Sequence, residues 1–485
     1  MTMRIQVGTL TSKVLSWDDT ADRAWLIDYL SFDDPKARYT RNKDAKISLY
    51  TAKTDRFPSG LLPMVMKAAP DEGIKIDLID ARLPPCAEDP AADLEWLRDY
   101  QLETVAIACK RKRGILWLPT GAGKTEIIVA LTRRLPCNWL ALVHRSQLAD
   151  DIAARYEKRS PGLVAGRILE GDADIPQDAT LVAATFQTLV NWLKRDRDDP
   201  LHKQATDLLA WAQGLIIDET HVLPADTFYA VAMRTANAFY RFGLSGTPLA
   251  RGDRKSLLAL AAIGPVIHRV KAETLIARGI LARPTVRLIT VTQISNRPTW
   301  QGVYGECVVK GSARNAALVA IAKRATAPAF LFVQQVEHGK DLAKRLTNAG
   351  IPAEFVWGSH SLAYRKSLIR RMVSGHFEVL VCSSVFQEGI DVPELRSVIV
   401  GSGGKSIIAT LQRLGRGMRV DRKSDGTVRD GGDRFEVYDV ADKGNKWLAK
   451  HSRERLNAYT AEGFETFIEP EGTASLFPGT SIASV

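Results

Sequence analysis

The chain has 485 residues, of which 45% are hydrophobic and 25% charged, with a formal net charge of +11 and an isoelectric point near 9.3. That length exceeds one ordinary core and points to about two to four domains, and the composition is that of a soluble globular protein. The positive excess favours a polyanionic partner, because each neutralised phosphate releases counterions. Five cysteines (Cys86, Cys109, Cys137, Cys307 and Cys382) are scattered, odd in number and without a C-x-x-C pair, so neither a disulfide framework nor a zinc site is implied. The first ten residues lack an apolar run behind basic ones, so they do not read as a signal peptide. The longest apolar stretch, 257–267, is too short for a bilayer and carries Gly264-Pro265. No membrane partner is expected, and a reducing cytoplasm is the natural compartment.

Residues 1–92 read as a small α/β domain, with β-like runs at 47–50 and 74–79 and a linker marked by Pro84, Pro85 and Pro90. Arg38, Arg41, Lys43, Lys46, Lys53 and Arg56 make it a candidate grip for duplex DNA; a plain scaffold role is equally open. Residues 93–282 alternate strands at 114–118, 139–143, 180–184 and 215–217 with helices at 126–134 and 147–156. Such alternation implies a parallel, doubly wound sheet. Lys110-Arg111-Lys112-Arg113 reads as a solvated basic segment, Trp117 as core, and 194–200 as a charged loop. Residues 283–445 repeat the pattern, with strands at 330–333, 353–357, 378–382 and 397–400, and 446–485 read as a basic helical tail. The fold class is therefore α/β: two tandem parallel-sheet domains behind a small N-terminal one.

The strand at 115–118 runs into Thr120-Gly121-Ala122-Gly123-Lys124-Thr125, and a helix follows. That is the context of a phosphate-binding loop, in which backbone N–H groups and the helix N-terminus hold phosphate. Lys124 would reach the β- and γ-phosphates of ATP, and the Thr125 hydroxyl would bind Mg²⁺. The leading glycine of the strict pattern is replaced by Leu118-Pro119, leaving the T-G-x-G-K-T core. The apolar run 215–217 ends in Asp218-Glu219-Thr220-His221. Carboxylates at such a strand end face the ligand crevice. Asp218 is the expected magnesium holder and Glu219 the residue that orients or deprotonates the attacking water. His221 is either a structural hydrogen bonder or a coupling residue, and coupling is the favoured reading.

These residues resemble the DExH branch of helicase superfamily 2, over most of 98–419. The surviving P-loop core is the shorter form used by helicases. Arg98-Asp99-Tyr100-Gln101, seventeen residues before Leu118, is similar to the adenine-reading Q motif. Val143-His144-Arg145-Ser146 resembles motif Ia, and Thr185-Phe186-Gln187 the next strand-contact motif. Ser245-Gly246-Thr247-Pro248 resembles motif III, and Phe332-Val333-Gln334 motif IV. Ser383-Ser384 through Gly389-Ile390-Asp391 resembles motif V, and Gln412-Arg413-Leu414-Gly415-Arg416-Gly417-Met418-Arg419 motif VI. The resemblance implies two RecA-like domains, ATP contacts from Gly389 and Asp391, and coupling through Ser245, Thr247 and Gln412. Arg416 and Arg419 lie three apart, so a helix would put both on one face. They would stabilise charge on the transferring phosphoryl, and their placement in the second domain would tie hydrolysis to closure.

Within the superfamily the chain is similar to UvsW-type phage recombination helicases, with RecG and XPB as wider relatives. The implied function is an ATP-dependent DNA helicase or translocase acting 3′ to 5′ on branched DNA. Arg145, Thr185, Gln187, Gln334 and Ser384 would touch the strand backbone, which gives position rather than sequence reading. Phe186 is either a base-stacking ring or core. A DExH RNA helicase, or a duplex translocase subunit of a restriction or defence system, is the alternative. With both arginines in the same chain as the phosphate loop, a monomer suffices.

Overall fold

The structure is a computed structural model describing residues 2–34, 46–223, 226–246, 256–383, 392, 394–404, 420–421, 425, 427–429 and 432–472. Of the candidate site residues, Thr247, Ser384, Gly389, Asp391, Gln412, Arg416 and Arg419 lie outside these, as do Arg38, Arg41 and Lys43. The chain divides into two compact units, Met1–Leu118 with Gly123–Val270, and Pro119–Ala122 with Lys271–Val485. The division thus falls before position 282, where the sequence suggested a boundary.

The first unit opens with six short strands: β1 (Thr2–Gln6), β2 (Thr11–Ser16), β3 (Ser31–Asp33), β4 (Lys46–Ser48), β5 (Arg56–Pro58) and β6 (Lys75–Ile79). Four of them form a sheet in the order β5-β2-β1-β6, with β1 antiparallel to β2 and parallel to β6. Alternation along β1 buries Met3 and Ile5 and exposes Arg4 and Gln6, the period of a half-buried strand. The core they enter does not stop at residue 92. Leu257, Leu258 and Ala261, on the helix Ser256–Ala262, belong to the same apolar cluster as Met3, Ile5, Leu61 and Val65. Gly60 makes that docking close: a Cβ there would overlap the carbonyl oxygens of Leu260 and Ala261. Gly60→Ala is therefore expected to destabilise the first unit by about 1–3 kcal/mol, read as a lowered melting temperature; an unchanged melt would show that the contact can yield.

Eight strands follow: β7 (Arg113–Trp117), β8 (Trp139–Val143), β9 (Ala165–Leu169), β10 (Asp172–Asp174), β11 (Leu181–Thr185), β12 (Gly214–Asp218), β13 (Tyr240–Ser245) and β14 (Val266–Arg269). Their order is β10-β9-β11-β8-β12-β13-β7-β14, parallel throughout except for the β9–β10 hairpin. β8, β11, β12 and β13 are buried along their whole length, as a sheet covered on both faces requires. Arg241, inside β13, is fully buried and donates to the carbonyls of Ala262, Thr235 and Ala232 at 2.7, 3.0 and 2.6 Å. Burial without a carboxylate partner lowers its pKa to about 10.

The second unit holds β15 (Arg283–Thr292), β16 (Ala329–Phe332), β17 (Ala353–Val356), β18 (Val379–Cys382), β19 (Ser397–Val400), β20 (Arg434–Lys443) and β21 (Glu465–Glu469). They form a parallel sheet in the order β17-β18-β16-β19-β20-β15-β21. The stretch after 445, expected as a basic helical tail, is the helix Lys446–Ala461 followed by β21, which adds an edge strand against β15. Lys446, Lys450 and Arg453 are exposed, but Arg455 is not a surface cation. It is fully buried and donates to both oxygens of Asp439 at 2.7 and 3.0 Å, and Tyr459 donates to Asp439 at 2.8 Å. Arg455 also donates to the Gly404 carbonyl at 2.9 Å, and a second buried arginine, Arg314, bonds Asp442 and the Gly401 carbonyl. Among the described residues no helix is long and apolar enough to cross a membrane.

Candidate nucleotide site and strand groove

Parallel strands deliver their C-terminal ends to one edge of a sheet, and in the first unit β7, β8, β11, β12 and β13 place the candidate residues there. β7 leads into the phosphate loop. Gly121 and Gly123 have φ of 87° and 75°, the left-handed region that side chains rarely adopt, and Gly123 caps the helix Lys124–Arg134. A Cβ on Gly123 would also overlap Nε2 of Gln101. Gln101 is buried, and its amide oxygen accepts the Arg98 N–H at 2.9 Å, closing the start of the helix Asp99–Arg111. The amide NH₂ end therefore lies against the loop. Tyr100, between them, is 3% exposed and sits inside the unit. Trp117 is not the core residue expected from sequence. It is half-buried, donates to the Gly246 carbonyl at 2.7 Å, and carries the Arg269 guanidinium 3.9 Å from its ring centroid.

β12 ends at Asp218, and the next residue bends sharply. Glu219 has φ 55° and ψ 55°, a strained setting for a residue with a Cβ. Its N–H donates to Oδ1 of Asp218 at 3.0 Å. Its own carboxylate is gripped twice: Lys124 Nζ lies 2.6 Å from Oε1, and His221 Nδ1 lies 3.3 Å from Oε2. The same His221 nitrogen is 3.1 Å from Oγ of Ser245, at the end of β13. Thr220 turns inward onto the Leu244 carbonyl, in space that Gly243 leaves open. The adjacent acids are electrostatically unlike. Burial, opposed by Lys124 and reinforced by Glu219, lifts Asp218 above the usual carboxylate range. Burial also pushes Glu219 upward, but Lys124 and His221 overcome it and hold Glu219 well below that range.

A magnesium ion suits this donor set. Asp218 is a buried carboxylate short of compensating positive charge, and Thr125 supplies a half-buried hydroxyl at the start of the neighbouring helix. Among the described residues no group of three His, Cys, Asp or Glu is arranged for a metal. Magnesium that keeps waters and phosphate oxygens asks for only one or two carboxylates.

Beside this site is a cavity of about 420 Å³ lined by His144, Arg145, Glu170, Gln187, Asn191 and Arg195, among others. Arg145 and Gln187, expected at the strand, are brought together there. Thr185 also lines it but is 4% exposed, and its hydroxyl caps the helix Phe186–Leu193 by accepting from the Thr188 N–H. Phe186 proves to be core: it is fully buried and stacked on Phe228 at 4.8 Å. Asn191 and Arg195 were not singled out from the sequence; Asn191 lies one helical turn past Gln187, and Arg195 follows the end of that helix. Gln187 Nε2 donates to Asn191 Oδ1 at 2.9 Å. In the second unit, Gln334 is exposed just past β16.

Two family models match in chain order: the type III restriction enzyme, res subunit, over residues 95–250, and the helicase conserved C-terminal domain over residues 313–421. The "DNA 3′-5′ translocase XPB2" of Sulfurisphaera tokodaii is 26% identical over 367 residues, covering 67% of this chain and 78% of its own length. The "ATP-dependent DNA helicase uvsW" of Enterobacteria phage T4 is 25% identical over 489 positions, covering 90% of this chain and 93% of its own. Among solved structures, the ATP-dependent type ISP restriction-modification enzyme LlaBIII bound to DNA shares the fold, with a TM-score of 0.56 and 16% identity over 78% of this chain and 32% of that one. The first model covers the phosphate loop and the Asp218-Glu219-Thr220-His221 strand end and the second covers β16 to β19, so over these two segments the chain belongs to the res-subunit and helicase C-terminal domain families.

Proposed function

We propose that this protein is an ATP-driven DNA helicase or translocase that remodels branched duplexes, moving 3′ to 5′ as a monomer in the cytoplasm. The observation that carries the reading is the continuous chain Lys124–Glu219–His221–Ser245, which joins the phosphate loop to the ends of two neighbouring strands. The names of the translocase and helicase relatives and the net charge of +11 support DNA as the polymer.

Lys124 binds the β- and γ-phosphates, and phosphate oxygens then compete with Glu219 for its ammonium. Glu219, ionised and aimed by His221, accepts a proton from the attacking water. Asp218 and Thr125 would hold magnesium, which when bound would neutralise charge on the phosphates. Arg416 and Arg419 are the proposed arginine fingers, with Gly389 and Asp391 as further ATP contacts. His221 and Ser245 relay the state of the Glu219 carboxylate to the segment that follows β13, with Thr247 and Gln412 as further coupling residues. Arg145, Gln187, Gln334 and Ser384 contact the strand backbone, and Thr185 acts by holding the helix that presents Gln187. The proposed domains are 1–92, 93–282 and 283–445, with the helix and β21 of 446–485 added to the sheet of the last.

Steady-state ATP hydrolysis measured with no polymer, single-stranded DNA, duplex DNA, a four-way junction and RNA tests this. Greatest stimulation by the junction is expected. Stimulation by RNA alone would replace the reading with an RNA helicase, and indifference to every polymer would overturn it. Ser245→Ala is expected to keep ATP hydrolysis within about threefold of the parent while base pairs opened per ATP fall roughly fivefold, the worth of one hydrogen bond. Equal loss of both would refute a coupling role.

A further inference from the structure

At the C-terminal end of β17, an edge strand of the second unit, four rings follow one another in contact. Phe355 and Trp357 are stacked 5.0 Å apart, Trp357 and His360 are 3.9 Å apart and tilted by 50°, and His360 and Tyr364 are 4.7 Å apart and tilted by 57°. The inner end is anchored. Phe355 lies on Gly339, where a Cβ would overlap its ring. The outer end reaches solvent: Trp357 and His360 are half-buried, and Tyr364 is 41% exposed. The Ser361 hydroxyl accepts the Tyr364 N–H, which fixes the backbone carrying that ring.

Cations surround the row. Lys340 Nζ lies 5.6 Å from the Trp357 ring centroid. The helix Leu362–Val373 carries Arg365, Lys366, Arg370 and Arg371 and no acid; Arg371 pairs with Glu354. Position adds a second argument. β17 pairs with β18 and β18 with β16, and the Ser383 N–H donates to the Val356 carbonyl at 3.1 Å. Trp357 is therefore one strand spacing from the end of β18, which leads to Ser384, and two from the end of β16, which leads to Gln334. Both are proposed backbone contacts, so the rings stand on the same sheet edge as the strand's expected course.

We infer that Trp357, His360 and Tyr364 form a base-stacking platform for single-stranded nucleic acid, with Lys340 and the basic helix attracting its phosphates. The inference rests on the DNA-motor reading above. Lys340 also pairs with Glu337 at 3.2 Å, but the helix itself brings four cations and no acid. Partly exposed rings beside such a helix suit an unpaired strand, because every base offers a π-face whatever its sequence. No sequence preference is conferred.

The test compares binding of a labelled single-stranded oligothymidylate with an abasic strand of equal length, for the parent, Tyr364→Ala and Tyr364→Phe, with melting temperatures as the check on folding. Tyr364→Ala should weaken oligothymidylate binding roughly five- to a hundredfold, the range for losing one stacked base. It should leave abasic binding near the parent's, and Tyr364→Phe should restore the difference. Trp357→Ala should act in the same direction. If the parent prefers oligothymidylate but Tyr364→Ala does too, undiminished, the platform is refuted while the motor reading stands. Equal weakening on both strands would mean that the ring serves the fold or the charge around it, which also overturns stacking. A parent that binds neither strand refutes the DNA-motor reading and the platform with it.

Discussion

Glu219→Gln should lower polymer-stimulated ATP hydrolysis by roughly two to four orders of magnitude while nucleotide affinity changes little, the range for removing a general base. The substitution is close to isosteric and keeps an oxygen for Lys124, which lies 2.6 Å from the present carboxylate. It is no worse suited to φ 55° than glutamate, so the backbone at the end of β12 has no new reason to shift. What disappears is the ability to accept a proton from water. The measurement is kcat for hydrolysis alongside direct nucleotide binding. Parent-like hydrolysis would refute the assignment of the base, whereas loss of binding together with hydrolysis would show that the carboxylate chiefly holds the site together.

Arg455→Leu is expected to cost the second unit about 3–5 kcal/mol, because it strands a fully buried carboxylate. Asp439 would keep only the Tyr459 hydroxyl among these side-chain donors, and the carbonyls of Gly404 and Val440 would each lose the Arg455 donor. For a unit of this size the loss corresponds to a melting temperature lower by roughly 6–20 °C. The double variant Arg455→Leu with Asp439→Leu should recover part of the loss, since no charge is then left unpaired. A single variant that melts within about 2 °C of the parent would show that water reaches the pair.

Both predictions draw on residues that the sequence exposed unevenly. The phosphate loop and the acidic strand end were legible because local rules govern them: small residues at a strand-to-helix turn, and acids closing an apolar run. Strands 139–143 and 397–400 were placed to the residue, being apolar runs buried on both faces. β13 was overlooked because Arg241 interrupts its apolar run, and only the fold reveals three carbonyls waiting for that guanidinium. β21 was missed for a related reason. Its sequence, Glu-Thr-Phe-Ile-Glu, looks like surface, yet Glu469 is held by Arg287 and Arg324 from distant parts of the chain. Arg455 falls in the stretch read as a basic tail, because nothing within a few residues announces Asp439. The aromatic row after β17 passed unnoticed because Trp357, His360 and Tyr364 follow neither period; a strand end and a helix start bring them together.

The helix Ser256–Ala262 shows how freely this architecture can be recombined. Its Leu257, Leu258 and Ala261 complete the core of a domain that begins more than two hundred residues earlier. An N-terminal module joined to the motor only by a linker could be exchanged between lineages as a cassette. This one cannot, because a motor domain cut free at residue 93 would expose an apolar face, a liability for aggregation. Any exchange of the N-terminal domain would have to carry the matching helix with it, or re-evolve its face, so the two segments are bound to a common history although most of the first motor domain separates them in sequence.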